Sequence, residues 1–276
     1  MNNLWKDKLE TLQIKKPVCF LLIIIIILIS FFHHSSLFSP FLNSDDAVIA
    51  LMIHDFHLPQ DLYYWGANRG GTFIPLIGQF FNKILHFSAI SSESFTRYLI
   101  LITGYFGIIS LFRFRFSKII FAVVLFLPPL RMIDVIKLGF GQQYALIGIS
   151  IFFINKVYTQ SIEKYRLKHH IYLFLIMIFF ISSIWVSDLA FVTILIILIV
   201  HIISYFRKNK IIFHTSFAGQ PELYYIILGM IAGGLFIYFA KSNSVRVENY
   251  YGFLDPGMVA DSFRVFTKTI GDLFLL

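Results

Sequence analysis

Two adjacent carboxylates, Asp45 and Asp46, directly follow one of the longest apolar runs of the chain, in the stretch NSDDAVIALMIHDF (43–56). A carboxylate within about 2.6–3.2 Å of a hydroxyl proton can act as a general base. The structural alternative is helix stabilisation, because acids in a first helical turn gain about 0.3–1 kcal/mol from the helix dipole. Adjacent helical positions point about 100° apart, so at most one of the two acids can aim into a given site.

The residues that follow the acids supply a cation, aromatic rings and a flexible turn. The stretch LYYWGANRGGTF (62–73) contains Tyr64, Trp65, Asn68 and Arg69, followed by two glycines. Glycines permit turns and close approach of the backbone, so we expect this segment to lie against another part of the molecule. Arg69 could neutralise an anionic group, and it could equally pair with a lipid phosphate at the membrane surface.

Two amphipathic helices are predicted around this turn. Ser44 is typical of a helix N-cap, and it precedes apolar residues at helical spacing. This apolar face comprises Val48, Leu51, Met52 and Phe56. The second helix, TFIPLIGQFFNKILHF, has an apolar face made of Phe73, Leu76, Ile77, Phe80, Phe81, Ile84 and Leu85. Such helices lie along a membrane surface with the apolar face in the acyl boundary.

The composition is that of a membrane protein. Of 276 residues, 58% are hydrophobic and only 14% are charged, and the mean hydropathy is +0.77. The net charge of +8 is concentrated in short segments between apolar runs, which is typical of membrane topology and argues against a nucleic-acid partner. Cys19 is the only cysteine, so a disulfide within the chain is excluded.

Seven apolar runs predict an all-α, polytopic membrane fold. They are 17–38, 98–112, 118–130, 139–157, 171–186, 188–206 and 223–240. A bilayer core about 30 Å thick requires roughly 20 residues of helix, so the second, third and fifth runs are short. Basic residues fill every second connection, which places the N-terminus and those connections in the cytoplasm.

This topology divides the chain into three parts. They are a cytoplasmic N-terminus (1–16), a seven-helix membrane domain (17–240) and an outer C-terminal segment (241–276). The membrane domain includes an outer loop (40–96) that contains the acidic pair. The final stretch reads as an outer loop that enters another apolar segment, which is typical either of a truncated chain or of a minimal one.

An acidic pair directly behind the first span, followed by an aromatic-glycine turn and a surface helix, resembles the GT-C superfamily of membrane glycosyltransferases. The resemblance rests on SDDAVIALM and YYWGANRGGTFIPLI and covers about residues 15–130. The family includes protein O-mannosyltransferases, lipid A aminoarabinose transferases and many bacterial relatives. It implies a seven-helix module with the N-terminus inside, in a bacterial plasma membrane. It also implies transfer of a sugar from a polyprenyl-phosphate donor to an acceptor hydroxyl at the outer surface.

The resemblance also implies roles for individual residues. Asp45 would be the catalytic base, with Asp46 as orienter, alternate base or metal ligand, and some family members hold a divalent cation such as Mg²⁺ or Mn²⁺ on this pair. The donor phosphate would be met by outer cations, and the substrate by polar and aromatic residues of the loop. We expect the donor-phosphate residues to be Arg69, Lys241 and Arg246, with Arg131 and Lys137 as further outer cations, and the substrate-binding residues to be Tyr64, Trp65 and Asn68.

Several alternatives stay open at this point. Gln142 and Gln143 could face a cavity or form hydrogen bonds between helices, although simple packing is the favoured interpretation. Asp188 is interpreted as part of an outer turn rather than an intramembrane functional group. For the whole chain, the alternatives to a glycosyltransferase are a non-catalytic membrane scaffold or fragment and, less favoured, a transporter.

Overall fold

The computed structural model describes residues 14–35, 37–38, 44–65, 70–128, 136, 139–159, 166–209, 221–244 and 264. Within these residues all regular secondary structure is helical, as predicted, apart from an isolated antiparallel bridge between Tyr63 and Gly71. The helices are α1 (Lys16–His34), α2 (Ser44–His54), α3 (Phe73–Gln79), α4 (Ala89–Ile109), α5 (Arg115–Phe126), α6 (Gly139–Thr159), α7 (Arg166–Val186), α8 (Leu189–Asn209) and α9 (Pro221–Asn243). A π-helical turn, Phe80–Ile84, continues α3.

Three of these helices are long and apolar enough to cross a membrane. The segments are Lys16–His33, Leu167–Val186 and Tyr224–Asn243, in α1, α7 and α9. A shorter apolar segment, Leu189–Val200, lies in α8. Helix α5 has 12 residues, so it extends only about 18 Å at 1.5 Å per residue, less than a bilayer core. The structure therefore supports a membrane protein with three candidate spans, and seven spans remain a prediction.

The first connection, which runs from the end of α1 to the start of α4 and includes α2 and α3, is shorter than the predicted loop 40–96. Helix α4 begins at Ala89, well before the predicted second span (98–112). Ser88 caps α4 by accepting a hydrogen bond from the Ser91 N–H at 3.2 Å. The first turns of α4 contain Glu93 and Arg97, which are buried. Hydropathy placed Glu93 in the loop and Arg97 just before the second span, but both lie in α4 and are buried as an ion pair.

The apolar faces of the two amphipathic helices were predicted to lie in the acyl boundary, and the structure exposes some of their residues and buries others in the bundle. In α2 the buried residues are Asp46, Ile49, Ala50, Met52 and Ile53, whereas the predicted residue Leu51 is 58% exposed. Nearly every uncharged residue of α2 is apolar, so periodicity could not select a face, and the buried carboxylate marks it instead. In the second helix, α3 buries Ile74, Pro75 and Gly78, and the predicted face residues Phe80, Ile84 and Leu85 are exposed. An exposed apolar face is compatible with contact with lipid.

The connections fall at two ends of the bundle. At one end, the Arg115 guanidinium donates to the Ile14 carbonyl at 2.9 Å, so the basic α4–α5 connection lies beside the basic N-terminal segment. At the other end, Gly71 and Trp185 join the first connection to the end of α7. Lys241, at the end of α9, reaches the same place through Asp188 at 3.2 Å. This arrangement is the one expected if alternate connections share a side.

Helices α4 and α6 pack closely and run in the same direction. Gly104 lies against Ala145, and Gly107 lies against Gly148, with no room for a Cβ at either glycine of α4. Residue numbers rise in the same direction along both helices, from the Gly104–Ala145 contact to the Gly107–Gly148 contact. The N-terminal turns of α4 and α6 therefore lie at the same end of the bundle. That is the end at which α2 and the acidic pair also lie.

Candidate functional site

Asp46 forms a buried ion pair with Arg97, a residue 51 positions later. The Arg97 Nη1 donates to Asp46 Oδ1 at 2.6 Å, and both side chains are 1% exposed. Arg97 Nη2 also lies 2.7 Å from Glu93 Oε1, one turn earlier on α4, as an ion pair rather than an aligned hydrogen bond. The three charges join α2 to α4 at the end of the bundle.

A buried ionic group of this kind fixes the position of its members. Removing charges from water is costly, and the attraction between them offsets this only while the geometry is maintained. Asp46 is therefore held against α4 with its carboxylate facing the bundle rather than solvent. This placement suits an anchoring role better than proton abstraction from an incoming substrate.

Asp45 lies in a different environment from its neighbour. It is only partly buried, and among the residues that the structure describes no basic side chain pairs with it. The Tyr64 hydroxyl donates to the Asp45 backbone carbonyl at 3.1 Å. Burial raises the pKa of the Tyr64 phenol, and the nearby Asp45 carboxylate raises it further. Tyr64 therefore remains a protonated donor beside the acid.

The loop that carries Tyr64 is organised by Asp61. Its carboxylate accepts from the Trp65 indole N–H at 2.6 Å and from the His57 backbone N–H at 2.7 Å. Its carbonyl accepts from the Thr72 hydroxyl at 2.6 Å. The indole nitrogen of Trp65 is thus engaged within the loop, and its predicted role in substrate binding stays a prediction.

Gly71 makes the close approach to another part of the chain that the sequence predicts for the glycine turn. Gly71 donates its N–H to the Trp185 carbonyl at 2.8 Å, and the Trp185 indole donates to the Leu62 carbonyl at 2.7 Å. A Cβ on Gly71 would overlap the Trp185 ring and carbonyl, and Gly70 has a φ of +90°. These contacts, which we call the Trp185 clasp, fasten the loop to the end of α7.

Lys241 meets the loop on the side of Tyr63. Its ammonium lies 3.2 Å from Asp188 Oδ2 and 5.4 Å from the centre of the Tyr63 ring. Asp188 lies in the exposed turn between α7 and α8, as predicted. The structure therefore brings Lys241 to the end of the molecule that carries the acids, but its contacts are with Asp188 and Tyr63 rather than with the acidic pair.

The other predicted site residues lie outside the described residues. These are the substrate-binding candidate Asn68, the donor-phosphate candidates Arg69 and Arg246, and the further outer cations Arg131 and Lys137. Their assignments stay predictions.

The acidic pair, as placed, does not fit a divalent cation well. The Asp46 carboxylate is engaged by the Arg97 guanidinium, which already supplies the positive charge. In the part of the chain that the structure describes, no group of three or more His, Cys, Asp or Glu side chains could hold a metal ion. Mg²⁺ and Ca²⁺ sites use several oxygen ligands, so these two side chains alone are a poor fit for either cation.

Sequence reasoning missed Glu93 and Arg97. The signal was present in SESFTRY (92–98), where an acid and a base stand four positions apart, directly before an apolar run. Residues at this spacing share a helix face, and charges at the edge of an apolar helix must find partners. What the sequence did not indicate is that the partner would be Asp46.

Comparisons of the chain with protein-family models, with curated proteins and with solved structures find no match in any of the three.

Proposed function

We propose that this chain is a membrane glycosyltransferase of the GT-C type, with Asp45 as the general base. It would transfer a sugar from a polyprenyl-phosphate donor to an acceptor hydroxyl at the outer surface of a bacterial plasma membrane. The observation that carries the proposal is the different environment of the two adjacent acids. Asp46 is buried and held by Arg97, whereas Asp45 is partly exposed and available to a substrate.

The proposed reaction is a single displacement at the anomeric carbon. Asp45 accepts the proton of the acceptor hydroxyl as the new carbon–oxygen bond forms. The bond between the anomeric carbon and the phosphate oxygen breaks, and polyprenyl phosphate leaves with the electron pair. A positioned base contributes about 10²–10⁴-fold to such a step, and the fixed neighbour Asp46 prevents the first turn of α2 from rotating away.

The developing negative charge on the leaving phosphate requires preorganised positive charge or hydrogen-bond donors. Lys241 is the described candidate, since it lies over Tyr63, one residue from the Tyr64 that contacts Asp45. Its partner Asp188 is on the surface, where an ion pair is worth little and is readily exchanged. Arg69 and Arg246 remain proposed members of the same phosphate site.

The test replaces each acid by asparagine, which preserves size and the capacity to cap α2. Asp45→Asn should reduce transfer by about 100-fold or more while leaving the free energy of unfolding nearly unchanged. Asp46→Asn should lower the free energy of unfolding by about 1–3 kcal/mol, because a buried charge-assisted hydrogen bond is weakened. Transfer is measured as loss of label from polyprenyl-phosphate sugars in nanodiscs, with cell-envelope material as acceptor.

Asp55→Asn is the matched control, since Asp55 follows the same helix and its side chain is 67% exposed. It should change neither transfer nor stability measurably. If Asp45→Asn retains full transfer, or if the wild type consumes no lipid-linked sugar, the assignment fails. The second result would favour a non-catalytic scaffold in which both acids serve only to position α2.

A further inference from the structure

Two adjacent glutamines, Gln142 and Gln143, lie buried in the first turn of α6. Both side chains are 0% exposed. Neither the amide oxygen nor the amide nitrogen of either side chain has a hydrogen-bond partner among the residues described. Four strong polar atoms are thus buried together without partners from the protein.

Such an arrangement is rare in native proteins. Most buried polar side-chain atoms have a partner, and each exception requires an explanation. A buried donor or acceptor left unpaired loses its hydration without compensation, so two glutamines destabilise a site at which leucine would pack well. Their presence indicates that a polar group from outside the protein satisfies them in the functional state.

The glutamines lie at the junction of two apolar clusters. Leu146, one turn after Gln142, belongs to the cluster formed with α2 and α4. Ile147, one turn after Gln143, belongs to the cluster formed with α7, α8 and α9. Because adjacent helical positions diverge by about 100°, the two side chains leave α6 toward different sides. A ring that bears hydroxyl groups on several sides could still meet both amides, each through a different hydroxyl group.

The depth of the pair relates it to the acids. Since α6 and α4 are parallel and Ala145 lies against Gly104, Gln142 is level with Leu101. Arg97 is four residues earlier, so the glutamines lie about 6 Å deeper than Arg97 along the helix axis. The acids are therefore above the glutamines at the same end of the bundle.

We propose that Gln142 and Gln143 bind hydroxyl groups of the sugar carried by the donor. The inference rests on the proposed function, because it places the sugar ring between the level of Asp45 and the first turn of α6. An uncharged amide offers both a donor and an acceptor, which matches hydroxyl groups rather than a phosphate or an ammonium. The Ser92 and Thr96 hydroxyls of α4 are also buried without described partners, and they extend the same chemistry.

Binding requires the two clusters to separate slightly at this junction, because the amides are covered in the structure. The two glutamines would therefore distinguish a sugar-bearing lipid from one without a sugar, in addition to binding it. A lipid phosphate without a sugar would leave the glutamines unpaired, whereas a hydroxyl-bearing ring would satisfy them.

The experiment uses Gln142→Leu and Gln143→Leu in nanodiscs. Replacing an unpaired buried amide by an apolar group of similar shape should raise the thermal midpoint of unfolding of the ligand-free protein. The same change should weaken binding of a polyprenyl-phosphate hexose by about tenfold, while binding of polyprenyl phosphate without a sugar stays the same. Affinities follow from the ligand-dependent rise in the thermal midpoint.

Gln79→Met is the control, because Gln79 donates to the Ile53 carbonyl. It should lower the thermal midpoint and keep the preference for the sugar-bearing lipid. The proposal is overturned if the leucine variants have a lower thermal midpoint or if they still prefer the sugar-bearing lipid. It is also overturned if the wild type has no such preference with hexose, N-acetylhexosamine or pentose donors. If the leucine variants lose the preference for the sugar-bearing lipid but the wild type transfers no sugar, the sugar site is supported and the proposed transferase activity is rejected.

Discussion

The two acids that resemble each other in sequence have different physical situations. Asp46 exchanges hydration for a guanidinium at 2.6 Å, whereas Asp45 keeps access to the surface and to the Tyr64 hydroxyl. A base must meet its substrate, and an anchor must not move. The fold turns Asp46 inward, where it can anchor α2, and leaves Asp45 at the surface, where the proposed base could meet a substrate.

Arg97 is the residue on which this division depends. Arg97→Met should lower the free energy of unfolding by about 3–5 kcal/mol, since it leaves the Asp46 and Glu93 carboxylates buried without their cation. Chemical denaturation of the purified protein in detergent, followed by circular dichroism, measures the change.

Arg115→Met is the comparison for that variant, because Arg115 is exposed and donates to a backbone carbonyl. We expect a change of about 0.5 kcal/mol or less there. Equal losses at the two arginines would contradict the importance of the buried pair.

At the scale of elements, the first connection is a fastened structure and not a free loop. Asp61 ties its backbone together, and the Trp185 clasp attaches it to α7. Tyr64 then contacts the first turn of α2 from within this fastened segment. The position of Asp45 is therefore coupled to the end of α7 through the loop.

Gly71→Ala should detach the clasp. The added methyl group would overlap the Trp185 ring and carbonyl, and overpacking of this kind costs about 1–3 kcal/mol. The expected result is faster cleavage of the first connection in limited proteolysis, together with reduced transfer.

Gly234→Ala offers a matched glycine, since nothing lies within 4 Å of the Cβ that it would add. Alanine is favoured over glycine in a helix interior, so this variant should be neutral or slightly more stable. If the first connection is cleaved at the same rate in both glycine variants, the Trp185 clasp does not stabilise it.

At the scale of the whole molecule, the two ends of the bundle differ in character. One end gathers the N-terminal segment and the basic α4–α5 connection. The other end gathers the acidic pair, the clasp and the Asp188–Lys241 pair. If α1, α7 and α9 cross a bilayer, as their length and composition allow, these ends face opposite sides of the membrane.

Cysteine labelling tests this orientation in a Cys19→Ser background, which removes the only native thiol. A membrane-impermeant maleimide added to intact cells should label His57→Cys, at an exposed position of the first connection, beside Asp61. It should label Arg113→Cys, exposed at the other end, only after permeabilisation. Labelling of both positions in intact cells would exclude the proposed topology, and with it an outer active site.

The sequence by itself determined the class of protein and the existence of most helices, because long apolar runs satisfy their backbone only as helices in lipid. It also predicted a helix over α2 and a close approach of the backbone at the glycine turn, since both depend on neighbouring residues. The inward face of α2, the early start of α4 and the partner of Asp46 were decided only by the tertiary structure. Where nearly every side chain is apolar, periodicity carries little information. The buried side is then set by the few charged groups that must find each other across the fold.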